Sequence, residues 1–176
     1  MLVIGLTGNI GTGKTAVSQV LAKLGATIID ADKLGHELLE PYTQTWNEVV
    51  AAFGKDILRP DDQIDRHRLG QIVFSAPKSL GELNQIMHPK MYDLAKERLE
   101  SLRSQGTRVV VLEASLLIEA NWTNLVDQVW VTIAPEAVIT KRLKENKGLS
   151  KADVLARLQS QLPQGKKLKQ ADMVID

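Results

Sequence analysis

An α/β fold on a parallel sheet is predicted by three features of this sequence. Short apolar or β-branched runs alternate with amphipathic stretches, a Gly-rich turn follows the first run, and a long block between the second and third runs is helical throughout. Parallel strands need a crossover between them, so strand–helix alternation implies parallel pairing.

The first strand is Leu2 to Leu6, an apolar run ending in Gly-rich sequence. Thr15 to Leu24 reads as a helix, because Val17, Val20, Leu21 and Leu24 recur at helical spacing and Gly25 stops it. Ala26 to Ile29 is a second strand. Lys33 to Leu39 begins a helix that Pro41 breaks. From Trp46 to Leu102 there is no strand signature: Val49, Val50, Phe53 and Ile57 form one apolar face, Leu69, Ile72 and Val73 a second, Leu80, Leu83, Ile86 and Met87 a third. A helix break is expected at His88-Pro89. Arg108 to Leu112 is the third strand and Val126 to Ile133 the fourth, ended by Pro135. Helices follow over Ala137 to Leu143 and Ser150 to Leu162, with a Lys-rich polar stretch between them. Met173-Val174-Ile175 opens a fifth strand. A sheet left uncovered after that strand suggests a missing C-terminal segment.

Composition excludes several classes. The 176 residues are 44% apolar and 24% charged, an ordinary mixture for one globular domain with room for an insertion. A net charge of +1 gives no global field calling for nucleic acid or an anionic membrane. Cysteine is absent, which rules out disulfides and thiolate zinc sites. With no basic leader and no apolar run of membrane-spanning length, a cytoplasmic protein is expected.

The turn after strand one carries the chemistry. Gly8-Asn9-Ile10-Gly11-Thr12-Gly13-Lys14-Thr15 is G-x-x-x-x-G-K-[ST] between a strand and a helix. Glycines let backbone N–H groups approach phosphate, and those groups gather at the positive end of the helix. Lys14 reaches the β- and γ-phosphates, and Thr15 offers its hydroxyl to Mg²⁺. ATP with Mg²⁺ is the expected ligand. A GTP switch is disfavoured. Asp32-Lys33-Leu34-Gly35 fits its D-x-x-G element, but Asn146-Lys147-Gly148-Leu149 has leucine where guanine recognition needs a carboxylate, and it follows a helix.

A small-molecule kinase needs an anchor for the acceptor hydroxyl, a carboxylate supporting the metal, and cations over the γ-phosphate. Asp30-Ala31-Asp32 ends the second strand; one of the pair accepts the hydroxyl's hydrogen bond, or one simply caps the next helix. Glu113, after four apolar strand residues, is placed like the metal-supporting carboxylate of such proteins, or is simply a solvated acid at a strand end. Lys141, Arg142, Lys144, Lys147, Arg157, Lys166, Lys167 and Lys169 are basic; most of them read as a solvated face. His88, a lone histidine before Pro89, reads more as a capping or packing residue than as a catalyst.

Taken together these residues resemble the dephospho-CoA kinase family over nearly the whole chain. The resemblance rests on Ile4 to Thr15, Ile29-Asp30-Ala31-Asp32, Phe53-Gly54-Lys55-Asp56-Ile57-Leu58, Asp65-Arg66, Leu83-Asn84-Gln85-Ile86-Met87-His88-Pro89, Leu116-Leu117 with Glu119, Arg157 with Gln161, and Ala171-Asp172 with Val174-Ile175. It implies transfer of the ATP γ-phosphoryl to the ribose 3′-hydroxyl of dephospho-CoA. It also implies a P-loop kinase core with a five-stranded parallel sheet (1–40, 103–140 and 170–176), a helical CoA-binding insertion (41–102) and a lid (141–169). Asp32 becomes the base, Lys14 the phosphate clamp and Arg142 the lid arginine; Asp32, Arg66, His88 and Glu113 contact the acceptor. Three departures mark this chain. The family usually reads Asp-x-Pro-Leu-Leu after strand three, here Glu113-Ala114-Ser115-Leu116-Leu117. Asn146-Lys147 stands where a second lid arginine is common. The family also continues past Asp176 into an adenine-contacting loop and a final helix.

Overall fold

The computed structural model describes residues 1–147, 150–159 and 161–176. Five strands form one sheet: β1 (Leu2–Gly8), β2 (Thr27–Asp30), β3 (Val109–Glu113), β4 (Gln128–Thr132) and β5 (Met173–Ile175). Their order is β2-β3-β1-β4-β5, and every pairing is parallel. The helices among the described residues are α1 (Lys14–Lys23), α2 (Ala31–Leu38), α3 (Gln44–Phe53), α4 (Arg66–Ser75), α5 (Pro77–Ser104), α6 (Glu136–Lys147), α7 (Lys151–Gln159) and α8 (Gln164–Leu168). Gly148, Leu149 and Ser160 lie outside the described residues, so the end of the Asn146-Lys147-Gly148-Leu149 motif and part of the Ser150–Leu162 helix expectation do too.

β1 is the middle strand and is buried from Val3 to Gly8, as a strand paired on both edges and covered on both faces must be. Its register sets the site. Leu6 lies beside Glu113 of β3, Gly8 beside Thr132 of β4, and Asp30 of β2 beside Glu113. Thus the carboxyl ends of four neighbouring strands come to the same edge of the sheet, where α/β folds bind ligands. Two aspartates fix the strand starts: the Asp127 carboxylate accepts the Val3 N–H at 2.7 Å, and the Asp172 carboxylate accepts that of Val129 at 2.7 Å.

The chain divides into two compact units. The first comprises Met1–Asp30 with Leu99–Asp176; the second is Ala31–Arg98. In the first, Ile4, Leu6 and Val111 pack with Val17, Leu21 and Ile28, while Ala134, Ile139, Leu143 and Val154 pack with Ile10 and Leu158. In the second, a separate core gathers Trp46, Val49, Ile57, Ile64, Leu69, Val73 and Met87. There α3 starts at Thr43, whose hydroxyl accepts the Trp46 N–H at 3.1 Å. α4 starts at Asp65, whose carboxylate accepts the N–H groups of His67 and Arg68.

The expected break at His88-Pro89 is absent. α5 runs unbroken through both residues for 28 residues. A proline inside a helix removes one N–H and crowds the preceding turn, at roughly 3 kcal/mol. Pro89 and Gln85, whose carbonyl loses its donor, both lie at exposed positions of the helix. Burial of Met87, Ala95 and Leu99 along the same helix offsets that cost.

Candidate active site

The Gly-rich turn joins β1 to α1 and is braced from several sides within the first unit. Gly8 has φ 147° and packs against Thr132 so closely that a side chain there would collide with it. The Thr132 and Thr12 hydroxyls are 2.7 Å apart, and the Thr12 hydroxyl donates to the Asn9 carbonyl at 2.8 Å. Gly13 precedes α1 with φ 105°, a conformation that residues with a Cβ rarely adopt. The Ile10 N–H donates to the Gln161 side-chain oxygen at 2.9 Å.

Lys14 is buried, and its ammonium group donates to the carbonyls of Gly8 at 2.9 Å and Asn9 at 3.3 Å. A cation held over a turn of backbone amides, at the positive end of α1, makes a concentrated positive site suited to polyphosphate. Arg142 of α6 adds to it, donating to the Gly11 carbonyl at 3.3 Å from an exposed position. Asn9, itself buried, keeps a side-chain oxygen with no hydrogen-bond partner among the described residues.

Glu113 ends β3 directly beside α1. One carboxylate oxygen accepts the Thr15 hydroxyl at 3.2 Å, the other the Ser18 hydroxyl at 2.5 Å. Residues 15 and 18 are three apart on a helix and therefore share a face, which presents both hydroxyls to one carboxylate. Thr15 and Glu113 supply hard oxygen donors at the site's edge. Mg²⁺ keeps several waters and takes one or two carboxylates with phosphate oxygens, so this donor pair fits it.

The structure thus brings Gly8 to Thr15, Glu113 and Arg142 together. Asp30 ends β2 at the position preceding α2; Asp32 lies in the first turn of α2 and is exposed. Arg66 is the first residue of α4, also exposed. His88 is half-buried in α5, and burial pushes its imidazole below the ordinary value, favouring the neutral form.

A family model described as CoaE, dephospho-CoA kinase, matches residues 2–176. The chain belongs to the dephospho-CoA kinase family. A relative named dephospho-CoA kinase in Carboxydothermus hydrogenoformans is 44% identical over 174 residues, covering 99% of this chain and 84% of the relative. Among solved structures, TT1252 from Thermus thermophilus is 32% identical with a TM-score of 0.84, covering 98% of this chain and 86% of that one. The dephospho-CoA kinase from Campylobacter jejuni is 29% identical with a TM-score of 0.71, at the same coverages. Dephospho-CoA kinases are phosphotransferases acting in coenzyme A biosynthesis, with ATP as co-substrate. No helix among the described residues is long and apolar enough to cross a membrane.

The sequence pattern misplaced or passed over several residues around this site. Lys167, one of a group of basic residues most of which read as a solvated face, is fully buried: its ammonium group donates to the Ser115 carbonyl at 2.7 Å and pairs with Glu119 at 2.9 Å. Nothing in a Lys-rich stretch signals which lysine turns inward. Ser18 had a signal, a second hydroxyl three residues past Thr15 and so on the same helical face. Thr132 had none, since a strand-end threonine is ordinary.

Proposed function

We propose that this chain transfers the γ-phosphoryl group of ATP to the ribose 3′-hydroxyl of dephospho-CoA, giving CoA and ADP. The observation that carries the reading is a phosphate-binding turn with Lys14 and Arg142 on it and Glu113 beside its Thr15, in a chain matching the family from residue 2 to 176.

The amides of Gly8 to Thr15 bind the polyphosphate. Lys14 neutralises charge on the β- and γ-phosphates, and Arg142 donates to the transferring group as charge spreads over its oxygens. Thr15 and Glu113, the latter through water, would hold Mg²⁺, which supplies charge neutralisation and orientation of the phosphates when bound. Asp32 accepts the proton of the 3′-hydroxyl. Arg66, His88 and Glu113 orient the acceptor. His88, kept neutral by its surroundings, serves as a hydrogen-bonding group rather than a cation. In this reading residues 41–102 are the acceptor-binding subdomain and 141–169 the lid. The protein works in the cytoplasm on small molecules, without nucleic acid or membrane as partner.

A panel assay tests it: the full chain is given Mg-ATP with dephospho-CoA, shikimate, gluconate or nucleosides, and ADP release is followed. Release that depends on dephospho-CoA, with product bearing a 3′-phosphate, is expected; faster use of another hydroxyl rejects the reading. Asp32→Asn should lower turnover about 10²–10⁴-fold while ATP affinity holds. Unchanged turnover assigns Asp32 to helix α2 alone.

A further inference from the structure

We propose that the buried Lys167–Glu119 ion pair is a positioning clamp for the phosphate-binding turn, so that Lys167 sets ATP affinity without touching ATP. The inference rests on ATP binding at that turn and goes beyond it in assigning residues outside the site.

A lysine with no exposure is uncommon unless it is paired. An ammonium group has three donors, and here three acceptors surround it: the Ser115 carbonyl at 2.7 Å and the two Glu119 oxygens at 2.9 and 3.3 Å. Two routes lead from it to the turn. Along the first, the Glu119 carboxylate also accepts the Leu162 N–H at 3.0 Å, which fixes the backbone next to Gln161. The Gln161 side chain then accepts the Ile10 N–H at 2.9 Å. Along the second, the Ser115 carbonyl also accepts the Thr7 hydroxyl at 3.3 Å, one residue before Gly8. Ser115 itself lies two residues past Glu113, so the same carbonyl pins the segment that leaves the end of β3.

Lys167 therefore ties together three chain segments: the loop after β3, the stretch between α7 and α8, and the phosphate-binding turn. All belong to the first unit. A buried ion pair is weak evidence for stability, because well-packed apolar residues of similar volume often do as well or better. What an apolar replacement cannot do is hold the Ser115 carbonyl and the Glu119 carboxylate at fixed places. Positional control of Ile10 and Thr7 is accordingly the role this arrangement serves. Gln161 is its last link and the one most easily removed without opening a core.

The test compares three proteins, each the full chain: the parent, Gln161→Ala, and Lys167→Met with Glu119→Gln. The double variant removes both charges while leaving Leu162 an acceptor. Mg-ATP affinity is measured by calorimetric titration without acceptor, then KM for ATP and for dephospho-CoA in the coupled assay. Each variant should weaken ATP binding about three- to tenfold, the range a single lost hydrogen bond gives. The ATP KM should rise in step while the dephospho-CoA KM stays within twofold. A merely structural role would lower the amount of folded protein and leave both KM values where they were. Should the double variant fail to fold, Gln161→Ala decides alone. ATP affinity within 1.5-fold of the parent in the folded variants overturns the proposal. Because the titration needs no acceptor, a failure of the dephospho-CoA reading appears only in the turnover assay, and a failure of the clamp only in the titration.

Discussion

Replacing Gly8 by alanine should be the most damaging single-methyl change near the site, and its cost can be worked from the packing. A Cβ there would press into the Thr132 hydroxyl, lie 2.5 Å from the Thr132 carbonyl oxygen and 2.8 Å from the Thr12 hydroxyl. None of these can swing aside easily. The two hydroxyls are bonded to each other, and the carbonyl belongs to β4, held in register with β1. Room can come only from a shift of β4 against β1. Overpacking of this kind costs about 1–3 kcal/mol. The positive φ of Gly8 adds about 1–2 kcal/mol for any residue with a Cβ. The sum, about 2–5 kcal/mol, is a large part of the 5–15 kcal/mol typical of a domain. Gly25→Ala provides the control: Gly25 has φ 97° but nothing within 4 Å of an added Cβ, so it isolates the backbone contribution. Urea unfolding of both variants, with slopes compared to exclude changes in the unfolded state, should show Gly8→Ala worse by about 1–3 kcal/mol. Mg-ATP titration should show at least a roughly tenfold loss for Gly8→Ala, because the Thr12–Thr132 link moves with it, and parent affinity for Gly25→Ala. Equal stability losses, or equal ATP affinities, would refute the reasoning.

Arg142→Ala should slow phosphoryl transfer by roughly 10²-fold, the worth of one donor to developing charge, while the thermal midpoint holds because the side chain is exposed. A rate loss matched by an equal loss of folded protein would argue against its role over the γ-phosphate. His88 predicts a pH effect on stability. Its folded pKa lies below the unfolded value of about 6.5, so the unfolded chain takes up the proton first as pH falls. Its contribution is complete above about pH 6.5 and is lost as the pH drops through the folded pKa. His88→Gln should flatten the decline of urea midpoints on the acid side of neutrality, and an unaltered slope would place the imidazole in ordinary solvent.

The architecture was legible because each signal was local. Apolar runs at Leu2, Val109 and Val129 marked strands, and G-x-x-x-x-G-K-T fixed the first turn and the helix after it. Strand boundaries moved by one or two residues, while α6 runs four residues past the expected Leu143 to Lys147 and α7 ends at Gln159, three short of the expected Leu162, as hydrogen bonding rather than hydropathy decides them. Pro89 misled because burial elsewhere along α5 offsets a proline's local cost, which is a tertiary fact. The Gly-rich turn was legible because one stretch of chain supplies it, and Glu113 was legible as the acid that ends an apolar strand, though not its two partners on α1. The site was not legible where residues far apart in sequence converge: Thr132 on Thr12, Gln161 on Ile10, Lys167 on Ser115. Those contacts follow from strand order, and the order β2-β3-β1-β4-β5 places β3 between strands that precede it in the chain.

With one methylene more than an aspartate in its place, Glu113 shows how such a convergence depends on side-chain length. Its longer side chain reaches two hydroxyls on α1, Thr15 at 3.2 Å and Ser18 at 2.5 Å. Shortening it by one methylene withdraws the carboxylate by about 1.5 Å, one carbon–carbon bond. That takes Thr15 beyond hydrogen-bond distance and leaves the buried Ser18 hydroxyl, only 4% exposed, without its acceptor. An unpaired buried hydroxyl costs about 1–3 kcal/mol. Glu113→Asp should therefore lower stability by about that amount and raise the Mg²⁺ concentration for half-maximal rate by roughly tenfold. Adding Ser18→Ala should recover most of the stability and none of the Mg²⁺ dependence, because it removes the orphaned hydroxyl but leaves the carboxylate withdrawn. If Glu113→Asp alone kept both stability and Mg²⁺ dependence, α1 and β3 would have to close the gap by themselves, and Ser18 would be a bystander.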